Sequence, residues 1–294
     1  MALVNVPDVL NKLVTIGYLQ RTSGSIDATA TRAITRFQRH AARAYRMPPP
    51  DESYGALFTG KPTGIIDVAT ANHVDRWIAR GWRLPVGRFP LVAIPQGGKL
   101  RADAASAWAT ICGLVALGGG TLEGPYGDTT RPVRPNSKVG ASRYSFHYSG
   151  RAVDINQKLA GGSHQRYWVA KEVVSGNTYW RIYCKTTNQD GTQGGQYSKG
   201  QVRCYSFTQW QEYDIPAGYY IDMTSVIEST RTFERIKAQT NWVHSYNKTE
   251  WWHFQYALDK QETFSDELEL IGFSESRLRT AGWSSDVQLD HKPG

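Results

Sequence analysis

Apolar positions recur at helical spacing at the start of the chain. Val6, Val9, Leu10, Leu13 and Val14 fall on one face of a helix predicted over residues 3–20, with Gly17-Tyr18 as its end. A turn at residues 22–25 leads to a second predicted helix over residues 28–38, for which Asp27 is the N-cap candidate. Residues 47–63 are polar and proline-rich and read as a loop. Gly64-Ile-Ile-Asp67 then echoes Gly24-Ser-Ile-Asp27, and Arg76-Trp77 echoes Arg36-Phe37, which reads either as an internal half-repeat or as the end of the helical module. Residues 84–98, with Pro85, Pro90 and Pro95, are the linker candidate. An alanine-rich helix is predicted over residues 103–117, closed by Gly118-Gly-Gly120. These glycines do not make a dinucleotide-binding turn, because Glu123 stands where the third glycine belongs.

Further on the period changes from helical to two. Arg151-Ala-Val-Asp-Ile155 alternates like a strand, with Ala152 and Asp154 on one face and Val153 and Ile155 on the other. The aromatic run Trp251-Trp-His-Phe-Gln-Tyr256 also reads as a strand. Tyr179–Tyr183 and Val202–Phe207, separated by the glycine- and glutamine-rich stretch 189–195, suggest a hairpin or small extra sheet. Residues 222–238 read as a helix, and the tail after Tyr256 reads as a polar edge. The expectation is an α+β protein. A small helical module spans residues 1–83, a linker 84–98 and a larger domain 99–294, with a β-rich insertion at about 160–215.

Composition narrows the class. Ten Trp and sixteen Tyr suit binding of sugars or peptides by stacking, although aromatic rings also fill cores. A net charge of +8 points to an anionic partner, and the absence of a dense Lys/Arg run makes nucleic acid the weaker choice. Three cysteines exclude a disulfide scaffold. Cys112 is expected in the core, whereas Cys184 and Cys204 could pair across two strands. The N-terminus lacks a basic region followed by an apolar run, so no signal peptide is expected, and no apolar run is long enough to span a bilayer.

The chemistry concentrates in two stretches, Ser145-Phe-His-Tyr-Ser-Gly-Arg-Ala-Val-Asp154 and Glu250-Trp-Trp-His253. A catalytic zinc usually takes three protein ligands and keeps one position for water. His147, Asp154 and His253 can supply those three, which leaves Glu250 as a general base. Gly150 lets the backbone bend between His147 and Asp154. His164 and His244 have no such spacing and are expected at the surface or in structural roles.

The pattern S-x-H-x-x-G-x-A-x-D, followed far downstream by E-x-W-H, resembles the signature of the zinc D-Ala-D-Ala carboxypeptidases and the related L-alanyl-D-glutamate endopeptidases. Ser145, His147, Gly150, Ala152, Asp154, Glu250, Trp252 and His253 occupy its fixed positions. The resemblance covers roughly residues 100–260 and departs from the family in the long connection 155–249. It implies a zinc-peptidase domain with a central antiparallel sheet, one Zn2+ on His147, Asp154 and His253, and Glu250 as base. It also implies an arginine that holds a substrate carboxylate: Arg131 stands where that residue is expected, with Arg134 and Arg143 as rivals. The pattern Leu13-x-x-x-Gly17-Tyr18, Gly24-x-Ile26-Asp27, Ala33-Ile34-x-x-Phe37-Gln38 resembles the small helical peptidoglycan-binding module of wall hydrolases. Together these imply a monomeric peptidoglycan hydrolase, either an endopeptidase or a D,D-carboxypeptidase. The alternative is a wall-binding protein that keeps the metal site without turnover. Such a protein would be made in the cytoplasm and act in the periplasm or cell wall, delivered with a holin or by a secretion system.

Overall fold

The structure is a computed structural model and describes residues 3–42, 57–134, 143–261, 263–283 and 289. The chain divides into two compact units, Met1–Val86 and Gly87–Gly294. Helices and antiparallel sheets are both present, so the fold is α+β.

The first unit packs three helices, α1 (Val6–Thr15), α2 (Ala28–Ala41) and α3 (Val68–Ala79). The first is shorter than the predicted 3–20, because Gly17 turns the chain left-handed and the amides of Tyr18 and Leu19 fold back onto the Leu13 carbonyl. The echo in the sequence corresponds to two equivalent helix starts. Asp27 accepts from the Ala30 amide and Asp67 from the Thr70 amide, both at 2.7 Å, each satisfying a donor that the first turn leaves free. Gln38 ties the two together from within the core: its Oε1 accepts from the Thr63 and Gly64 amides and its Nε2 donates to the Ile65 carbonyl. Tyr18, Phe37 and Trp77 meet edge to face at 5.3–5.9 Å between ring centres, the favoured aromatic geometry. Most of the proline-rich loop expected at 47–63 falls on residues 43–56, outside the described residues.

The second unit opens with the hairpin β1 (Leu91–Ala93) and β2 (Lys99–Arg101). Residues 91–98 of the expected linker 84–98 form part of this hairpin, whose turn holds Gly97 and Gly98 at positive φ, and the boundary between the two units, Val86 to Gly87, falls within the same stretch. Helix α4 (Ala102–Leu117) follows and buries Ala104, Trp108, Ile111 and Val115 along one stripe. Next come β3 (Ala152–Asp154), β4 (Tyr167–Val174), β5 (Asn177–Lys185), β6 (Gly195–Tyr197), β7 (Arg203–Ser206), β8 (Gln211–Asp214) and β9 (Gly218–Asp222). The chain ends with α5 (Met223–Ser229), β10 (Phe233–Arg235), β11 (His253–Tyr256), α6 (Phe264–Leu270) and α7 (Glu275–Thr280).

Two antiparallel sheets result. One has the order β10-β11-β3, the other β6-β9-β5-β4-β7-β8. Helix α4 packs against both, with Trp108 centred 4.9 Å from Phe233 of the small sheet and in one core with Tyr167, Val169, Trp180 and Ile182 of the large one. Of the two expected arrangements, a hairpin or an extra sheet, the second is present: β5 forms its hairpin with β4 through Ser175-Gly176, and β7 lies on the far side of β4. Cys184 and Cys204 are free thiols. Alternation along the strands places Cys184 in the core under α4 and Cys204 on the opposite face with Trp168, Ile215 and Tyr220, so they cannot pair. The predicted helix 222–238 breaks after Ser229: Arg231 turns left-handed and Phe233–Arg235 pairs with β11. Nor is the tail a polar edge, since Phe264, Leu268, Leu278 and Trp283 bury together with Tyr148 in a cluster of their own. Among the described residues no helix is long and apolar enough to cross a membrane.

Candidate metal centre

Strand register brings the ligand candidates together. Antiparallel pairing of β11 with β3 sets His253 directly opposite Asp154. His147 arrives from the preceding 3-10 turn, Phe146–Ser149, which Ser145 caps by accepting the His147 amide. Gly150 closes that turn at φ +67°, and a Cβ there would stand 2.7 Å from the Arg101 amide nitrogen, so only glycine fits. The Gly150 carbonyl accepts from that same amide at 2.8 Å.

Three atoms converge. His147 Nε2 lies 3.3 Å from His253 Nδ1 and 3.3 Å from Asp154 Oδ1, and His253 Nδ1 lies 2.9 Å from Asp154 Oδ1. Ligands bound to a tetrahedral ion at about 2.0–2.1 Å would stand about 3.3–3.4 Å apart, so the triangle is nearly the right size for zinc. Protonation chemistry agrees. His147 Nδ1 donates to the Thr129 carbonyl at 2.8 Å; a carbonyl can only accept, so in the neutral ring Nε2 presents a lone pair to the other two atoms. Outer hydrogen bonds of this kind orient metal-binding imidazoles. All three residues are buried, at 1%, 7% and 8% exposure, and they form a group able to hold a metal ion. Burial alone would raise the Asp154 carboxyl, but the neighbouring imidazoles of His147 and His253 outweigh it and hold it well below the carboxylate range.

The segment 127–131 braces the centre. Gly127 and Asp128 exchange backbone hydrogen bonds with Asp154 at 2.8 and 2.7 Å, and the Arg131 amide donates to the His147 carbonyl at 3.0 Å. Arg131 is thus fastened to the turn that carries His147, while its half-exposed guanidinium pairs with Asp128. Of its rivals, Arg134 offers its carbonyl to the Trp283 indole, and Arg143 lies just before the capping Ser145. His164 and His244 are exposed.

Glu250 sits three residues before His253 in the left-handed region at φ +57°, a conformation that costs a non-glycine residue about 1–2 kcal/mol. Burial raises its carboxyl above the ordinary value, and the charge of Asp154 adds to this, against the lowering influence of His253, Gln239 and His147. Its carboxylate accepts a hydrogen bond from the Gln239 side chain. Thr129, Asp128 and Gln239 carry no signal in the sequence. Two of them act through backbone carbonyls, which any residue would supply, and Gln239 meets Glu250 only in the folded chain.

Comparison of the chain with protein-family models, with curated proteins and with solved structures gives no match.

Proposed function

We propose that the protein is a zinc-dependent peptidoglycan hydrolase that cleaves a peptide bond next to a D-amino acid. The observation that carries this reading is the triangle of His147 Nε2, Asp154 Oδ1 and His253 Nδ1, sized for one ion and with Glu250 beside it. The resemblance of the two motifs to zinc D-Ala-D-Ala carboxypeptidases and L-alanyl-D-glutamate endopeptidases supports the substrate class. The resemblance of the first unit to a wall-binding module supports it too, because tethering to a polymer raises the local concentration of its bonds.

When bound, zinc would acidify a water molecule toward a pKa of ~7 and polarise the scissile carbonyl. The chain's own residues do the rest. Glu250, its proton affinity raised by burial, takes the water proton and returns it to the leaving amine. Gln239 holds the carboxylate in place through its amide. A non-catalytic wall binder would have no use for such a base. Arg131 reaches for a backbone carbonyl or a carboxylate of the stem peptide. Because Asp128 already neutralises part of its charge, an internal peptide suits it better than a free terminal carboxylate. This favours the endopeptidase over the D,D-carboxypeptidase.

The test is metal analysis of the purified protein together with mass spectrometry of muropeptides after incubation. One zinc per chain and new peptide termini, both lost on chelation, are expected. Full activity in metal-free protein would end the proposal. Release of free D-alanine from monomeric pentapeptides, with cross-linked dimers untouched, would replace the endopeptidase by the carboxypeptidase.

A further inference from the structure

A polar groove of about 870 Å³ lies in the second unit, walled by the turn that follows β3, the β7–β8 turn and Tyr246. Two of its walls continue the strands that carry the triad. Gln157 and Lys158 follow Asp154 by three and four residues. Tyr246 packs at 4.8 Å between ring centres on Trp252, the residue before His253. The third wall is Phe207-Thr208-Gln209, where Phe207 stacks on Trp251 with planes 10° apart. The long connection between the two motifs therefore builds a groove against the ligand strands.

The lining identifies the chemistry that would fill it. Gln157 brings an amide that donates and accepts at once; Gln165, its NH2 engaged with the Tyr167 carbonyl and the Tyr213 hydroxyl, presents its carbonyl; Gln209, whose oxygen accepts from Gln211, presents its NH2; and Ser206 and Thr208 add hydroxyls. Phe207, Tyr213 and Tyr246 supply aromatic faces. Lys158 is the single charged side chain in the lining among the described residues. A polyanion would call for more cations than one, and an apolar peptide side chain would call for fewer amides. Alternating hydroxyl, N-acetyl and C–H surfaces match this set. The volume falls within the range of small-molecule sites and has room for two sugar rings.

We infer that this groove is a glycan subsite, holding an N-acetylated sugar of the strand to which the stem peptide is attached. The inference rests on the hydrolase reading for the identity of that sugar. It means that the enzyme works on peptides still joined to glycan and discriminates against free stem peptides.

Two measurements test it. Titration with the disaccharide N-acetylglucosaminyl-N-acetylmuramic acid, followed by amide NMR, is expected to shift residues 157–158 and 206–209. Filling the groove with Thr208→Trp is expected to abolish those shifts, and Gln209→Ala to weaken them; Thr208 and Gln209 are exposed turn residues. In kinetics, the disaccharide-linked stem peptide is expected to exceed the free peptide in kcat/KM by about tenfold or more, the loss expected for one or two missing hydrogen bonds. Thr208→Trp is expected to remove that advantage while leaving the free peptide's rate intact. Absence of shifts at these amides, equal rates for the two substrates, or equal losses on both in Thr208→Trp would overturn the inference. Sugar-induced shifts without hydrolysis of any muropeptide would uphold the groove and remove the hydrolase reading. Hydrolysis without those shifts would do the reverse.

Discussion

Two buried polar clusters sit at opposite ends of the same three-residue strand. Arg151, just before β3, belongs to one; Asp154, which ends β3, belongs to the other. In the first, Arg101 and Arg151 face Glu267 and Asp103, two positive charges against two negative. The donors left over on Arg151 find the carbonyls of Tyr256, Leu258 and Asp259, and only its Nε lacks a partner. In the second cluster the Nδ1 proton of His147 is committed to Thr129, and the three atoms that remain are two ring nitrogens and a carboxylate oxygen. Neutral histidines bring at most one proton to that triangle. The first cluster is matched donor to acceptor but for that one Nε, and ties residues 101, 151 and 267 of the second unit together. The second has lone pairs in excess, which is the condition a cation relieves. Burial and charge are common to both; the balance of donors and acceptors separates a structural cluster from a candidate site.

The largest expected effect tests that separation directly. Asp154→Asn should abolish both bound zinc and hydrolysis while the far-UV circular dichroism stays that of the parent. The cross-strand pairing of β3 with β11 does not need the carboxylate. Retained stoichiometric zinc in this variant would remove Asp154 from the ligand set. Glu250→Gln follows, with zinc retained and the turnover rate lowered by roughly 10²–10⁴, the range for a general base. If it loses the metal instead, Glu250 is a ligand and the assignment of roles is wrong.

At the other end of the strand the order of effects should invert. Arg151→Met removes one partner of a buried ion pair and leaves Glu267 short of a donor, a change that costs about 3–5 kcal/mol. At about 2–4 °C per kcal/mol for a unit of this size, the thermal midpoint should fall by about 10 °C. The protein that stays folded should still bind one zinc. A small shift in midpoint together with loss of metal would show that the two clusters are not independent.

Which parts of this were legible in the sequence follows from the range of each interaction. The meeting of His147, Asp154 and His253 was legible because the residue types that suit a metal ion are few, and the alternation 151–155 already put Asp154 on a strand. The N-cap Asp27 was legible because a cap acts over three residues, whereas Asp67 showed in the sequence only as an echo of it. Long-range partners were not. Glu267 reads as a polar helix position until Arg101 and Arg151 meet it, so the tail passed for an exposed edge although Phe264, Leu268 and Trp283 are core. Phe233–Arg235 continues a helical pattern on paper, yet pairing with β11 satisfies its backbone and buries Phe233 against Trp108. The choice between a hairpin and an extra sheet for Tyr179–Tyr183 and Val202–Phe207 was not legible, because the glycine-rich stretch 189–195 is a stronger turn signal than Ser175-Gly176, which turns the chain from β4 into β5.

The smallest expected effect asks how firmly the second cluster is set in place before any cation arrives. Ser145 touches no atom of the triangle; its hydroxyl accepts the His147 amide at 3.3 Å and caps the turn on which that ligand rides. Ser145→Ala deletes the cap and nothing else. Cap losses run to about 0.5–2 kcal/mol in helices, and this long contact on a single 3-10 turn should fall at the low end. A drop of roughly 1–3 °C in the thermal midpoint is therefore expected. The imidazole should keep its place, because the Thr129 carbonyl, the Arg131 amide and the bend at Gly150 all hold it independently. Zinc affinity measured by competition with a chelator should consequently weaken by less than about tenfold, below the roughly 10–100-fold loss that follows removal of a direct outer partner. A loss of about tenfold or more would mean that the turn, rather than the strands and the 127–131 brace, is what positions His147.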